Sequence, residues 1–178
     1  MFALHGSRHK NAFIPFSFLM LKGANGGSSC FMPIGGNEVV LIVSLLSMDK
    51  LTTHTDARGC LTIVEAQKDF PFSVDRVYWL HSVPEGAERG YHASRSCYEY
   101  LVVMSGRVEV VLEDATGRNT YQLRQKDEGL LVPPFTWIEL KHFSEDAVLL
   151  VLASDTYQPE SYINDYEEFQ QEILRGDS

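Results

Sequence analysis

The sequence predicts an all-β barrel with one short C-terminal helix, and three observations carry that prediction. From Cys60 onward the chain runs as short strand-like segments separated by turn signals, the pattern of an all-β sandwich or barrel. Several segments alternate with period two: in Val108-Glu109-Val110-Val111-Leu112-Glu113, Val108, Val110 and Leu112 share one face while Glu109 and Glu113 share the other. The run Val148-Leu149-Leu150-Val151-Leu152 is apolar throughout, which suits a strand covered on both sides.

Taken in order, the expected strands are 60–65, 74–81, 98–104, 107–113, 119–123, 129–132, 137–141 and 147–153. Ser105-Gly106 reverses the chain between the third and fourth of them, and Asp114-Ala115-Thr116-Gly117 between the fourth and fifth, because both carry residues that tolerate turn geometry. The final stretch, 161–174, places Tyr162, Asp165, Tyr166, Phe169 and Ile173 at helical spacings and is expected to pack on the barrel exterior.

The most informative segment runs from Arg89-Gly90-Tyr91-His92-Ala93-Ser94 through Glu99 to Gly106. It resembles the first motif of a cupin, a double-stranded β-helix (jelly-roll) barrel, in which His-x-His, a Glu and a Gly follow at set intervals. His92, Glu99 and Gly106 keep that frame, but Ser94 stands where the second histidine belongs. A neutral hydroxyl replaces imidazole poorly as a ligand for Zn, Fe, Cu or Ni. The second motif should add another histidine after a Pro-rich turn, and after Pro133-Pro134 the chain supplies Trp137 and Ile138 instead. No catalytic metal and no other cofactor are expected.

Composition narrows the function classes. At 178 residues, 44% hydrophobic and 11% aromatic, the chain is long and apolar enough to bury a core. Its net charge of -9 and pI near 5.1 argue against a general binder of nucleic acid or of membrane surfaces, whose footprint is basic. Cys30, Cys60 and Cys97 form no C-x-x-C pair and leave an odd count, so neither a disulfide framework nor a zinc knuckle is indicated; a reduced, cytoplasmic protein is expected. No apolar run reaches the ~18 residues of a membrane-spanning helix. The start is weakly signal-like, with Arg8 and Lys10 ahead of an apolar run, but Pro15 interrupts that run and no small-residue cleavage site follows directly.

Composition shifts at Met48. Before it lie Gly23, Gly26, Gly27, Gly35 and Gly36 among unpatterned apolar residues, with Glu38 the one acidic side chain. Residues 1–47 are therefore read as an extension, either an over-extended start or a poorly ordered tail in preference to a targeting or accessory segment, and 48–178 as a single domain.

Several segments in this order then resemble one family: Asp56-Ala57-Arg58-Gly59-Cys60-Leu61, Pro71-Phe72-Ser73-Val74-Asp75-Arg76-Val77-Tyr78, Arg89-Gly90-Tyr91-His92-Ala93, Phe143-Ser144, and Tyr162-Ile163-Asn164-Asp165-Tyr166. Over about residues 52–170 the chain is similar to the sugar 3,4-ketoisomerase cupins, the FdtA, QdtA and WxcM-like group. The resemblance implies a metal-free barrel, commonly a homodimer, whose partner is a nucleotide-linked sugar (a dTDP-hexose). It implies that the ketone of dTDP-4-keto-6-deoxyglucose moves from C4 to C3 through an enediol(ate), in deoxysugar and polysaccharide biosynthesis.

Such chemistry needs a group that both accepts and donates protons, and imidazole, with an unperturbed pKa of about 6.5, suits it. His92 matches the first histidine of the family's His-Ala-His, and Ser94 replaces the second. Three readings follow, in this order: an isomerase in which His92 acts with Tyr78 or Glu99; a nucleotide-sugar epimerase working beside a ketone; or a cupin that binds a sugar nucleotide without turning it over. The catalytic candidates are His92, Tyr78 and Ser94. Arg58, Arg76 and Arg89 are candidates for the pyrophosphate, since guanidinium matches phosphate oxygens in a bidentate fork, and Arg95 is a further one. Glu99 is read as an inward carboxylate on the substrate side, and Trp137 as packing or a wall for the thymine ring. His54, His81 and His142 are read as structural. A 3,5-epimerase and a metal-dependent dioxygenase rank below these readings.

Overall fold

The structure, a computed structural model, describes residues 19–22, 28–34, 38–42, 46 and 48–176. Ahead of Met48, β1 (Leu19–Lys22), β2 (Ser28–Ile34) and β3 (Glu38–Ile42) pair as an antiparallel sheet in the order β1-β2-β3. The signal-like start at Arg8 and Lys10 lies outside the described residues.

The remainder is built on two five-stranded antiparallel sheets. In chain order the strands are β4 (Met48–Lys50), β5 (Thr52–Asp56), β6 (Gly59–Ile63), β7 (Arg76–His81), β8 (Arg89–Ser94), β9 (Glu99–Ser105), β10 (Val108–Asp114), β11 (Gly117–Leu123), β12 (Glu128–Val132), β13 (Trp137–Lys141), β14 (Val148–Ala153) and β15 (Tyr162–Ile163). One sheet runs β11-β10-β13-β8-β15, the other β4-β12-β9-β14-β7, and β5-β6 is a separate hairpin. The strand pattern anticipates an all-β barrel, and the two sheets have the jelly-roll arrangement that the resemblance implies.

Period-two alternation builds the interior. Leu101 and Val103 of β9, Val108, Val110 and Leu112 of β10, and Leu149 and Val151 of β14 belong to one buried cluster. Outside the second sheet, Phe70 and Phe72 cover Tyr100, Val102 and Leu131. Gly129 makes room there: a Cβ at that position would stand 2.0 Å from the Tyr100 hydroxyl.

Helix α1 (Tyr166–Gly176) packs on the first sheet with Phe169 buried against Ala93, Trp137 and Ile163. It begins later than the spacing from Ser161 implies, for a local reason. Pro159–Ser161 forms a 3-10 turn, Tyr162 and Ile163 pair with Ser94 and Ala93 of β8, and Asp165 then accepts the Glu168 N–H at 2.8 Å as an N-cap. A charged network fastens this side. Arg118 reaches Glu113 at 2.8 Å and Glu139 at 2.6 Å, Lys141 reaches Glu139 at 2.7 Å, and Tyr166 and Gln170 of α1 donate to Glu113. Burial alone would raise the Glu139 carboxyl, but the bonds from Arg118 and Lys141 outweigh it and hold it below the usual range.

Strand β8 carries a bulge. Ile138 pairs with His92 while its neighbour Glu139 pairs with Gly90, so two steps on β8 oppose one on β13. Gly90 and Tyr91 take φ of 82° and 62° to make it. With one residue gained, the side-chain alternation of β8 restarts at His92.

Candidate active site

The interior faces of β7, β8 and β9 meet at one end of the barrel. Along β7 the more sheltered side chains are Arg76, Tyr78 and Leu80, while Val77, Trp79 and His81 are exposed. Arg76, Tyr78, His92, Tyr157, Tyr162 and Asn164 line a cavity of about 460 Å³. Tyr78 and His92 also line an inner pocket of about 140 Å³, with Arg89, Gly90 and Glu99 among apolar side chains that include Leu101 and Ile138.

Polar contacts order these groups. The Tyr78 hydroxyl donates to Glu99 Oε1 at 2.7 Å, and Arg76 Nη2 stands 3.8 Å from the same oxygen. Arg76 Nη2 also donates to the Tyr162 hydroxyl at 2.9 Å, and its guanidinium lies 5.1 Å from the Tyr78 ring centroid and 5.5 Å from that of Tyr157, within cation-π range. Among the described residues Arg76 Nε is buried without a hydrogen-bond partner. Burial, reinforced by the Glu99 carboxylate, drives the Tyr78 hydroxyl far above the ordinary tyrosine range. Tyr78 therefore stays a neutral phenol at any working pH. His92 meets the Tyr162 ring edge-on, with centroids 5.1 Å apart.

Five of the residues singled out from sequence, His92, Tyr78, Arg76, Arg89 and Glu99, thus meet around these two pockets. Four others lie elsewhere. Arg58 sits at the turn of the β5-β6 hairpin with its side chain 90% exposed and paired to Asp56. Trp137, read as packing or a wall for the thymine ring, points away from the interior and packs: Ile138 and Leu140 take the inward positions of β13, while Trp137 lies under α1 against Tyr166 and Phe169 and donates to Glu139. Ser94 lines neither pocket; its buried Oγ accepts the Cys97 N–H at 2.9 Å and so closes the turn between β8 and β9. Arg95, the further candidate, pairs with Glu168 and Glu172 of α1. Sequence reasoning missed Tyr157, Tyr162 and Asn164, which enter from the segment after β14.

The bond from Ser94 predicts a separable effect. Ser94→Ala leaves the Cys97 N–H unsatisfied and should cost about 1–3 kcal/mol in urea unfolding, with turnover near wild type. A collapse of turnover at unchanged stability would instead put Ser94 in the chemistry.

Comparison with known proteins places this geometry. The family model described as FdtA, WxcM-like, C-terminal, matches residues 44–174. The chain belongs to the FdtA family. Within that family it is 37% identical over 120 residues to the TDP-4-oxo-6-deoxy-alpha-D-glucose-3,4-oxoisomerase of Aneurinibacillus thermoaerophilus, covering 67% of this chain and 86% of the relative. The solved 3,4-ketoisomerase QdtA of Thermoanaerobacterium thermosaccharolyticum, in complex with TDP, superposes with a TM-score of 0.70 at 32% identity, over 73% of this chain and 95% of that one. The TDP-quinovose 3,4-ketoisomerase of Campylobacter jejuni gives 0.68 at 36% identity, over 71% and 97%. Of the His-Ala-His that the resemblance implies, this FdtA-family chain keeps His92 and Ala93 and carries Ser94 in the third place.

Proposed function

We propose that the chain is a TDP-sugar 3,4-ketoisomerase that moves the ketone of TDP-4-keto-6-deoxyglucose from C4 to C3, supplying a deoxysugar for polysaccharide assembly. One observation carries this reading: a single imidazole, His92, stands in a sugar-sized cavity beside the Tyr78–Glu99 pair, with Arg76 and Arg89 at hand.

The steps follow from those groups. His92 removes the proton at C3, which is acidified by the neighbouring ketone, and returns a proton at C4. Negative charge that builds on the sugar oxygens is met by the guanidinium donors. Tyr78, whose O–H donates a hydrogen bond to Glu99, offers a substrate hydroxyl an acceptor oxygen. The TDP diphosphate needs cations that an acidic protein must place locally, and the candidates are Arg76 in the cavity and Arg89 beside the inner pocket.

Residues 48–178 form the catalytic unit in this reading, working as a homodimer in the cytoplasm. The edge strand β7 presents Val77 and Trp79, 50% and 59% exposed, on the same outer face as Met104 at 48%, an apolar surface that a second copy would cover. Sedimentation equilibrium and cell fractionation read these two assignments. Among the described residues no helix is long and apolar enough to cross a membrane.

The deciding experiment incubates the full chain with TDP-4-keto-6-deoxyglucose in deuterated water and follows the hexose by proton NMR. Loss of the C3 proton together with growth of a 3-keto product is expected. Exchange without product would shift the reading to an epimerase, and TDP binding without exchange would shift it to a sugar-nucleotide-binding cupin.

A further inference from the structure

Ser94 removes one imidazole from the family motif, yet the isomerisation needs a second proton transfer, between oxygens. The cross-strand partner of Ser94 is Tyr162. Directly opposed residues on an antiparallel pair project to the same face with Cβ atoms about 4.5–5.5 Å apart. His92 precedes Ser94 by two positions and shares that face. Tyr162 therefore projects to the face that carries His92, and its ring stands edge-on to the imidazole with centroids 5.1 Å apart.

The hydrogen-bond directions separate the three tyrosines of the cavity. Tyr78 spends its proton on Glu99. Tyr157 is 65% exposed and contacts Arg76 and Tyr162 from outside. Tyr162 accepts from Arg76, and guanidinium has no acceptor to offer in return, so its own proton finds no protein acceptor among the described residues. Burial holds this hydroxyl above the ordinary tyrosine range despite Arg76, which keeps it protonated at neutral pH.

We propose that Tyr162 is a catalytic residue that takes the place of the missing second imidazole, carrying a proton between the substrate oxygens O3 and O4. The assignment rests on the ketoisomerase reading above. After His92 takes the C3 proton, the C–H pair becomes the C3=C4 bond and the ketone π pair moves onto O4. Tyr162 gives its proton to O4 and takes the O3 hydroxyl proton, whose bonding pair becomes the C3=O π bond. The C3=C4 pair meanwhile takes a proton at C4 from the His92 imidazolium. Phenol and imidazole end as they began. Arg76, bonded to the phenol oxygen, steadies the negative charge that passes through it.

Tyr162→Phe removes only the hydroxyl, and the full chain carrying it is compared with wild type in deuterated water. Product formation is expected to fall about 10²-fold or more, while exchange at C3 persists and titration with TDP gives an unchanged Kd. Unchanged product formation would overturn the assignment, and so would a loss of TDP binding, which would make Tyr162 a nucleotide contact. Wild-type protein giving neither exchange nor product would overturn the isomerase reading and this assignment with it.

Discussion

His92→Asn should lose both C3 exchange and product formation by about 10³-fold or more, at the upper part of the range for removing a positioned general base. Asn keeps much of the volume and polarity of the imidazole but cannot take a proton near neutrality. The inner pocket around position 92 is largely apolar, which leaves few routes for water to substitute as the base. Tyr78 cannot step in, because its phenol is buried, neutral and committed to Glu99. Binding of TDP should survive, since Arg76 and Arg89 are untouched. Exchange at C3 continuing near the wild-type rate in His92→Asn would assign the base to another group and end the mechanism proposed above.

Gly90→Ala should be the most damaging small substitution near the site. Gly90 has φ of 82°, and a Cβ there would stand 2.6 Å from the Ile138 carbonyl oxygen and 3.3 Å from the Glu139 Cα. Those atoms are backbone of the paired strand and cannot rotate aside. The left-handed conformation and the collision together should cost about 2–4 kcal/mol, read as a lower urea midpoint. The damage is also functional. Relief requires β8 to move off β13 at the bulge, two residues before His92, so turnover should fall more than TDP affinity does. An unchanged urea midpoint and turnover would mean that the bulge relaxes freely and does not fix the imidazole.

Much of the barrel was legible because its strands alternate. Strands β9, β10, β12, β13 and β14 lie within a residue or so of the expected segments. Strand β8 was legible as a motif but not as a run, since Gly90 and Tyr91 break the alternation at the bulge. Thr52–Asp56 gave no signal because the β5-β6 hairpin is exposed on most of both faces and has no apolar side to reveal. In the candidate site, motif position pointed to His92, Tyr78 and Arg76, which line the same cavity. For Trp137 two readings stayed open, packing or a nucleotide wall, although the alternation of β13, with Ile138 inward, already points it out toward α1. Tyr162 was absorbed into a helical spacing that it shares with Tyr166 and Phe169; Pro159, a few residues before it, was the available sign that the helix starts later.

The strand order has a kinetic side. Strand β7 pairs with β14 and β8 with β13, each across a long stretch of chain, whereas β10-β11 and β5-β6 are adjacent hairpins. Local hairpins close early; distant pairings pay loop entropy first and come slowly. Arg76 and Tyr78 come from β7, His92 from β8, Glu99 from β9, and Tyr162 from β15 beyond them all. No early fragment of the fold contains the cavity. The capacity to bind a nucleotide sugar should therefore emerge in the last phase of refolding, which makes ligand capture a reporter of completed assembly and exposes partly folded chains to proteolysis while they are still unable to be protected by ligand.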